Sequence, residues 1–382
     1  MTKTLANPFI VGEIVTDETS FIDREKELHQ LTRDLADSQK IFLLSPRRYG
    51  KTSLVTMAFR RLEREHQIRT VMIPVGSSAT YTQFLERFST SVTRAAGPYD
   101  KVKGWIQEFL QSVRPELTID PQSGQPQFTL GSQKTPDPRL IAPEIFNLPE
   151  TIARHSGVRL AICLDEFQQI QAYDGQSIEH CLRDAIQVQR HVGYVFAGSQ
   201  PSMIEPMLGP KRPFYRSGTR RFLEKIPRDA WEAFIPGRFA AIGVELTTAG
   251  LLRLLEHADD VPLDVQRIAH ELWDGARDRQ LRVLDIAHVD EVTDRVVNAE
   301  SPVYQRMWQQ RPTGQRLVLQ ALAAGETKGL QSMEVRRRYR LGAHSTVQKA
   351  LALLRQADII DQRGEKYFFL EPLFAHWIRR NL

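Results

Sequence analysis

Four short apolar runs, separated by helix-patterned sequence, constrain this chain more than any other feature in it. They are Lys40-Ile-Phe-Leu-Leu-Ser45, residues 69–75, Arg159-Leu-Ala-Ile-Cys-Leu-Asp165-Glu166 and residues 193–197. Each is continuously apolar rather than alternating, the pattern of a strand covered on both faces. Between them lie amphipathic stretches. Residues 24–37 put Leu28, Leu31 and Leu35 on one face, and further helices are expected after Gly50 to about Glu65, over 81–96, 101–113 and 177–190. Strands alternating with helices of this length give an α/β fold, a parallel sheet with helices on both sides.

Residues 114–138 shift to Pro, Gly, Ser and Gln. Glu116-Leu-Thr-Ile-Asp120, Pro121-Gln-Ser-Gly124 and Gln127-Phe-Thr-Leu130 read as strand, turn, strand, a hairpin inserted within a first domain of residues 1–240. From 247 to 299 strand-like runs cease and three amphipathic helices remain, a helical lid over 241–310. Residues 311–382 carry helices over 314–324, 332–339 and 344–356, then Asp358-Ile-Ile-Asp361, a turn at 362–365, a strand over 366–370 and a last helix. That is the order of a winged helix-turn-helix. No apolar run reaches the roughly 18–20 residues of a membrane helix, and Met1 to Phe9 lacks the apolar centre of a secretory signal. The two cysteines, Cys163 and Cys181, have neither disulfide nor metal-site spacing, so a cytoplasmic, reducing location is expected.

The first apolar run leads into Pro46-Arg-Arg48-Tyr49-Gly50-Lys51-Thr52-Ser53, and a helix follows. Gly50-Lys51-Thr52 in that place is the second half of a P-loop. Backbone N–H groups at the helix start cradle phosphate, Lys51 reaches the β- and γ-phosphates, and the Thr52 hydroxyl ligates Mg²⁺. The first glycine of the usual pattern is Ser45 here. The third run ends in Asp165-Glu166, the acid pair that hydrolytic P-loop proteins set beside the loop. Asp165 would hold Mg²⁺ and Glu166 would deprotonate the attacking water. Two solvated acids at a strand end are the alternative, and the P-loop upstream argues against it. The ten histidines form no zinc pattern.

With those residues in view, the chain resembles a known family. Asn7-Pro-Phe9, Phe21-Ile-Asp-Arg24-Glu25, Ser45-Pro-Arg-Arg-Tyr-Gly-Lys-Thr-Ser-Leu54, Asp165-Glu-Phe-Gln168 and Phe196-Ala-Gly-Ser-Gln200 look like the archaeal-type ATPases. These are AAA+-related proteins, grouped with the STAND signalling ATPases and the origin-recognition ATPases. The resemblance implies ATP and Mg²⁺ as ligands, with Arg48, Tyr49, Gly50, Lys51, Thr52 and Ser53 around the phosphates. It puts Ser199 or Gln200 in the sensor 1 position, feeling the γ-phosphate. It makes Arg216, in Pro-Phe-Tyr215-Arg216, an arginine that approaches the phosphates from the same chain or a neighbour, so a homo-oligomer is expected. It sets Ile22, Arg24 and Pro262 beside the adenine, although the glycine of the Gly-x-Pro lid motif is Asp260 here.

Charge is uneven along the chain. Residues 301–382 hold 14 Lys and Arg against 6 Asp and Glu, a net +8 that leaves the preceding 300 residues at −3 of the overall +5. A basic tail domain points to an acidic partner, duplex DNA first. Arg336, Arg338 and Arg340 form a dense run on the second winged-module helix. Ser345, Gln348 and Lys349 lie on the exposed side of the presumed recognition helix, and Arg363 sits at the wing tip. Two other readings of the run stand beside phosphate contact: a solvated helix face, or docking on the ATPase body. In the second case the chain is a STAND-like switch whose partner is a protein.

Overall fold

The apolar runs do pair as parallel strands. The computed structural model describes residues 6–16, 19–96, 116–119, 126–129 and 137–382, so the helix expected over 101–113 lies outside the described residues. In chain order the strands are β1 (Lys40–Leu44), β2 (Arg69–Pro74), β3 (Glu116–Ile119), β4 (Pro126–Thr129), β5 (Leu160–Asp165), β6 (Val192–Gly198) and β7 (Thr219–Phe222). The main sheet runs β2-β5-β6-β1-β7, every pair parallel. β3 and β4 form the expected antiparallel hairpin.

β7 carries none of the signal that revealed the other four. Its sequence is Thr-Arg-Arg-Phe and it is largely exposed, as an edge strand can be because only one side pairs. Gly218 lets it approach β1: a Cβ there would lie 2.4 Å from the Lys40 carbonyl oxygen.

The chain divides into two compact units, one of residues 25–46 and 51–223, the other of residues 1–24, 47–50 and 224–382. The first holds the sheet and its helices: α1 (Glu25–Ala36), α2 (Lys51–His66), α3 (Tyr81–Ala96), α4 (Pro138–Ser156), α5 (Gln171–Asp174), α6 (Gln176–Val188) and α7 (Pro201–Met207). α1 buries Leu28, Leu31 and Leu35 as its periodicity requires. α4 starts at Asp137, whose side chain accepts from Arg139 N–H, and stops at Gly157 in the left-handed conformation. Under the C-terminal ends of β1 and β6 the rings of Phe42, Phe167, Phe196 and Phe214 pack together, with Phe42 and Phe196 stacked at 4.7 Å. Phe167 and Phe214 thereby anchor the two loops that carry Glu166 and Arg216.

The second unit is helical. It contains α8 (Arg228–Ala240), α9 (Thr248–Ala258), α10 (Pro262–Asp278) and α11 (Ile286–Gln309), with a two-residue parallel pair, β8 (Glu245–Leu246) and β9 (Val283–Leu284). Asn7-Pro-Phe9 docks here: the Asn7 amide donates to the His270 carbonyl, and the buried Phe9 ring packs on Phe239 and Trp273. α11 extends ten residues past the expected end at 299, straight through Pro302. Packing compensates for the lost backbone donor, because Tyr304 and Trp308 are buried and Trp377 donates to the Ser301 hydroxyl at 2.8 Å.

The winged module follows the expected order with α12 (Thr313–Ala323), α13 (Met333–Arg338), α14 (His344–Gln356), the antiparallel ribbon of β10 (Ile360–Arg363) and β11 (Lys366–Phe369), and α15 (Pro372–Asn381). Val347, Leu351 and Leu354 bury one face of α14. Trp231, Trp273, Trp308 and Trp377 are all core residues.

Candidate functional site

The Lys51 side chain and the acid pair meet at the C-terminal edge of the sheet, where parallel α/β sheets present ligands to helix N-termini. β1 ends at Leu44, and α2 begins at Lys51. Between them Arg48 and Gly50 take left-handed backbone, φ 74° and 85°, which turns the chain tightly enough without a glycine at Ser45. Ser45 itself is buried and its N–H donates to the Gly198 carbonyl on β6. Lys51, only 6% exposed, sends Nζ to 3.0 Å from Asp165 Oδ1 and 3.8 Å from Glu166 Oε1. A buried lysine needs such partners.

Glu166 follows Asp165 on a left-handed backbone, φ 54°, with its N–H bonded to Asp165 Oδ1 at 3.0 Å. A non-glycine residue held there is a strained one, of the kind that collects at functional sites. Its Oε2 accepts from the Ser199 hydroxyl and from the Gln168 side-chain amide, each at 2.5 Å. Of the two residues expected at the sensor position, Ser199 is the one that contacts Glu166. Gln200 opens α7 through its carbonyl, which accepts from Met203 N–H at 3.0 Å. Gln168 was visible in the sequence as part of Asp165-Glu-Phe-Gln168 but had no role there. Gly198 makes room for Ile204 beside it, since a Cβ at 198 would fall 1.5 Å from Ile204 Cδ1 and 3.2 Å from Gln168 Oε1.

The site fits a Mg²⁺–nucleotide complex by its donor chemistry. The Thr52 hydroxyl and the Asp165 carboxylate are hard oxygen donors, and Mg²⁺ takes one or two of these with phosphate and water for the rest. Among the described residues no cluster of three or more His, Cys, Asp or Glu could hold a metal by itself.

Arg216 is exposed, has φ 56°, and lies over the Tyr215 ring at 5.1 Å. Its loop is fastened by Arg212, which pairs at 2.8 Å with the fully buried Glu179.

The helical unit holds a second charged cluster that the sequence does not reveal. Arg48, three residues before Lys51, pairs with Glu371 at 2.9 Å, and its Nη1 lies 3.6 Å from Asp264 Oδ1. Asp264 is completely buried with neither oxygen hydrogen-bonded, and burial pushes its carboxyl up to about 6 against the opposing pull of Arg48. Ile22, Arg24 and Pro262 belong to the same unit and are buried, Arg24 bonding the Glu224 carbonyl. Asp260 adopts φ 55°, the conformation that the glycine of Gly-x-Pro would supply, and a bidentate contact to Arg228 holds it there.

Residues 302–380 match the family model for a probable winged helix domain. No curated protein matches the chain in sequence. Among solved structures it is similar to the Walker-type ATPase of Pyrococcus abyssi, at 15% identity with a TM-score of 0.67 over 97% of this chain and 99% of that one. The fold is that of the archaeal Walker-type and ORC ATPases. The ORC2 protein of Aeropyrum pernix, solved with ADPNP and ADP, gives 12% identity and a TM-score of 0.61 over 98% and 96%. The ORC1 protein of the same organism, solved in complex with DNA, gives 14% and 0.52 over the same shares.

Within this ORC-like fold, the winged-module cations are unequal. Arg338 pairs with Glu326 at 2.7 Å and Glu334 at 3.4 Å, and Arg363 pairs with Glu224. Arg336 is half-buried and donates to the Gly342 carbonyl. Arg337, Arg340, Ser345, Gln348 and Lys349 are exposed. The sequence run of arginines does not show which of them are already paired, because Glu326 and Glu224 lie outside the run and reach it only in the fold.

Proposed function

We propose that the chain is a Mg²⁺-dependent ATPase whose nucleotide state is coupled to duplex DNA through the winged helix. The observation that carries the reading is the Lys51 ammonium held 3.0 Å from Asp165, with Glu166 next in the chain, at the C-terminal edge of a parallel sheet. The lysine rests on the acid that would hold the metal, and a phosphate would engage the same charge. In this reading Lys51 and the loop amides hold the β- and γ-phosphates, Thr52 and Asp165 hold the metal, and Glu166 takes the proton of the attacking water. Ser199 senses the γ-phosphate, and Arg216 supplies positive charge to the transition state. Mg²⁺, when bound, neutralises charge on the phosphate oxygens.

Lys51→Ala is expected to lose ATP binding. Glu166→Gln should bind ATP normally and lose turnover by about 10²–10⁴-fold, the usual worth of a general base. Hydrolysis by Glu166→Gln at the wild-type rate would sink the catalytic assignment.

The Arg48–Glu371 pair favours a second reading, a signalling switch. Glu371 immediately precedes the last helix of the winged module, so an arginine of the phosphate loop answers to that module. A protein would then be the partner in place of DNA.

A further inference from the structure

We infer that Gln168 is a positioning residue for Glu166, fixing the Oε2 edge of the carboxylate so that Oε1 faces Lys51. The inference rests on the reading of Glu166 as the base that activates water.

A glutamate at the end of a strand has three side-chain torsions, and a base is useful only where its carboxylate is held in one direction. Here Oε2 accepts two hydrogen bonds at 2.5 Å, from Ser199 at the end of β6 and from Gln168 on the turn after β5. Oε1 is the oxygen on the lysine side, 3.8 Å from Nζ. Gln168 is 1% exposed, and its Oε1 is buried without a hydrogen bond. A buried half-satisfied amide costs stability, so an apolar residue of the same shape would serve a purely structural role better. The orientation of the amide follows from chemistry: turned over, its oxygen would face the carboxylate oxygen. The turn that carries it is rigid. Phe167 between Glu166 and Gln168 is fully buried against Phe42, Phe196 and Phe214.

The test is Gln168→Met in the full chain, which keeps the volume and removes the donor. Expected is a loss of kcat of about 10–10²-fold, the effect of a misplaced catalytic group, with ATP affinity, read by anisotropy of a fluorescent nucleotide, and thermal midpoint held near wild type. In the Glu166→Gln background the same substitution should cause no further loss, because its effect runs through that carboxylate. Should Gln168→Met not fold, Gln168→Leu also removes the donor, with a smaller apolar side chain, and carries the same expectation. Wild-type kcat in the variant, or an equal loss with and without Glu166, overturns the inference and leaves the proposed function standing. Turnover unaffected by Glu166→Gln overturns both.

Discussion

Asp264 is the residue whose energetics stand furthest from its sequence. It lies at the start of α10 with no exposed surface, facing Arg48, Glu371, Arg267, Lys225 and Tyr304. Its carboxyl titrates near 6 in the folded chain against 3.8 ordinarily, burial being the largest cause. An acid raised on folding favours the folded state when protonated. Its contribution is therefore full below about pH 4 and is lost as pH rises through about 6. Asp264→Asn removes that loss. At pH 7.5 the variant should be more stable than wild type by on the order of 1–3 kcal/mol, allowing for the attraction to Arg48 that is given up. At pH 5 the gain should fall to about half, because the unfolded carboxyl is already largely ionised there. Urea midpoints at the two pH values check it, and an equal or larger gain at pH 5 would contradict the burial argument.

At the scale of elements, β7 and α11 show how packing overrides local pattern. β7 has two arginines in four residues, yet it extends the sheet because Gly218 lets its backbone reach β1. Arg221 completes the anchorage by pairing with Asp34 of α1. Gly218→Ala forces a Cβ onto the Lys40 carbonyl, a backbone atom that cannot turn aside. The expected cost is about 1–3 kcal/mol, the range of an overpacked site, read as a lower denaturant midpoint. Faster amide exchange in β7 than in β5 should accompany it. A midpoint equal to wild type would mean that the edge strand adjusts freely. α11 passes Pro302 because the aromatic residues Tyr304 and Trp308 beyond it are buried, Tyr304 against Phe374.

For the whole molecule the question is what the +8 of the C-terminal 82 residues meets. With Arg338 and Arg363 already paired and Arg336 half-buried, the cations that the helix-turn-helix, residues 333–356, presents are Arg337, Arg340 and Lys349. Three phosphate contacts give a slope of log affinity against log salt near −3, from about 0.9 for each phosphate neutralised. Affinity for duplex DNA should then fall by about 10²-fold between about 50 and 200 mM salt. Arg340→Ala with Lys349→Ala should flatten the slope by about two, while Arg338→Ala leaves it nearly unchanged. Fluorescence anisotropy with labelled duplex measures each. An equal flattening by Arg338→Ala would show that its ion pairs yield to phosphate. No salt-sensitive binding at all would favour the switch with a protein partner.

The sequence by itself determined four of the five parallel strands, the helices of the winged module and the Lys51, Asp165 and Glu166 constellation. Burial on both faces writes a continuous apolar run, and phosphate chemistry demands its residues within a few positions of a strand end. Tertiary structure alone decided the rest. Gln168 stood in a recognisable motif, but its task exists only because the turn after β5 brings its amide to the carboxylate that Ser199 also binds. Asp264 and Glu371 lie 216 and 323 residues from Arg48 in sequence, and nothing local distinguishes them from solvated acids. Likewise, six arginines within twenty-eight residues, Arg336 to Arg363, look alike in sequence, yet acids outside the run pair with some of them. Charge is counted along a chain, but its availability is set by what folds against it.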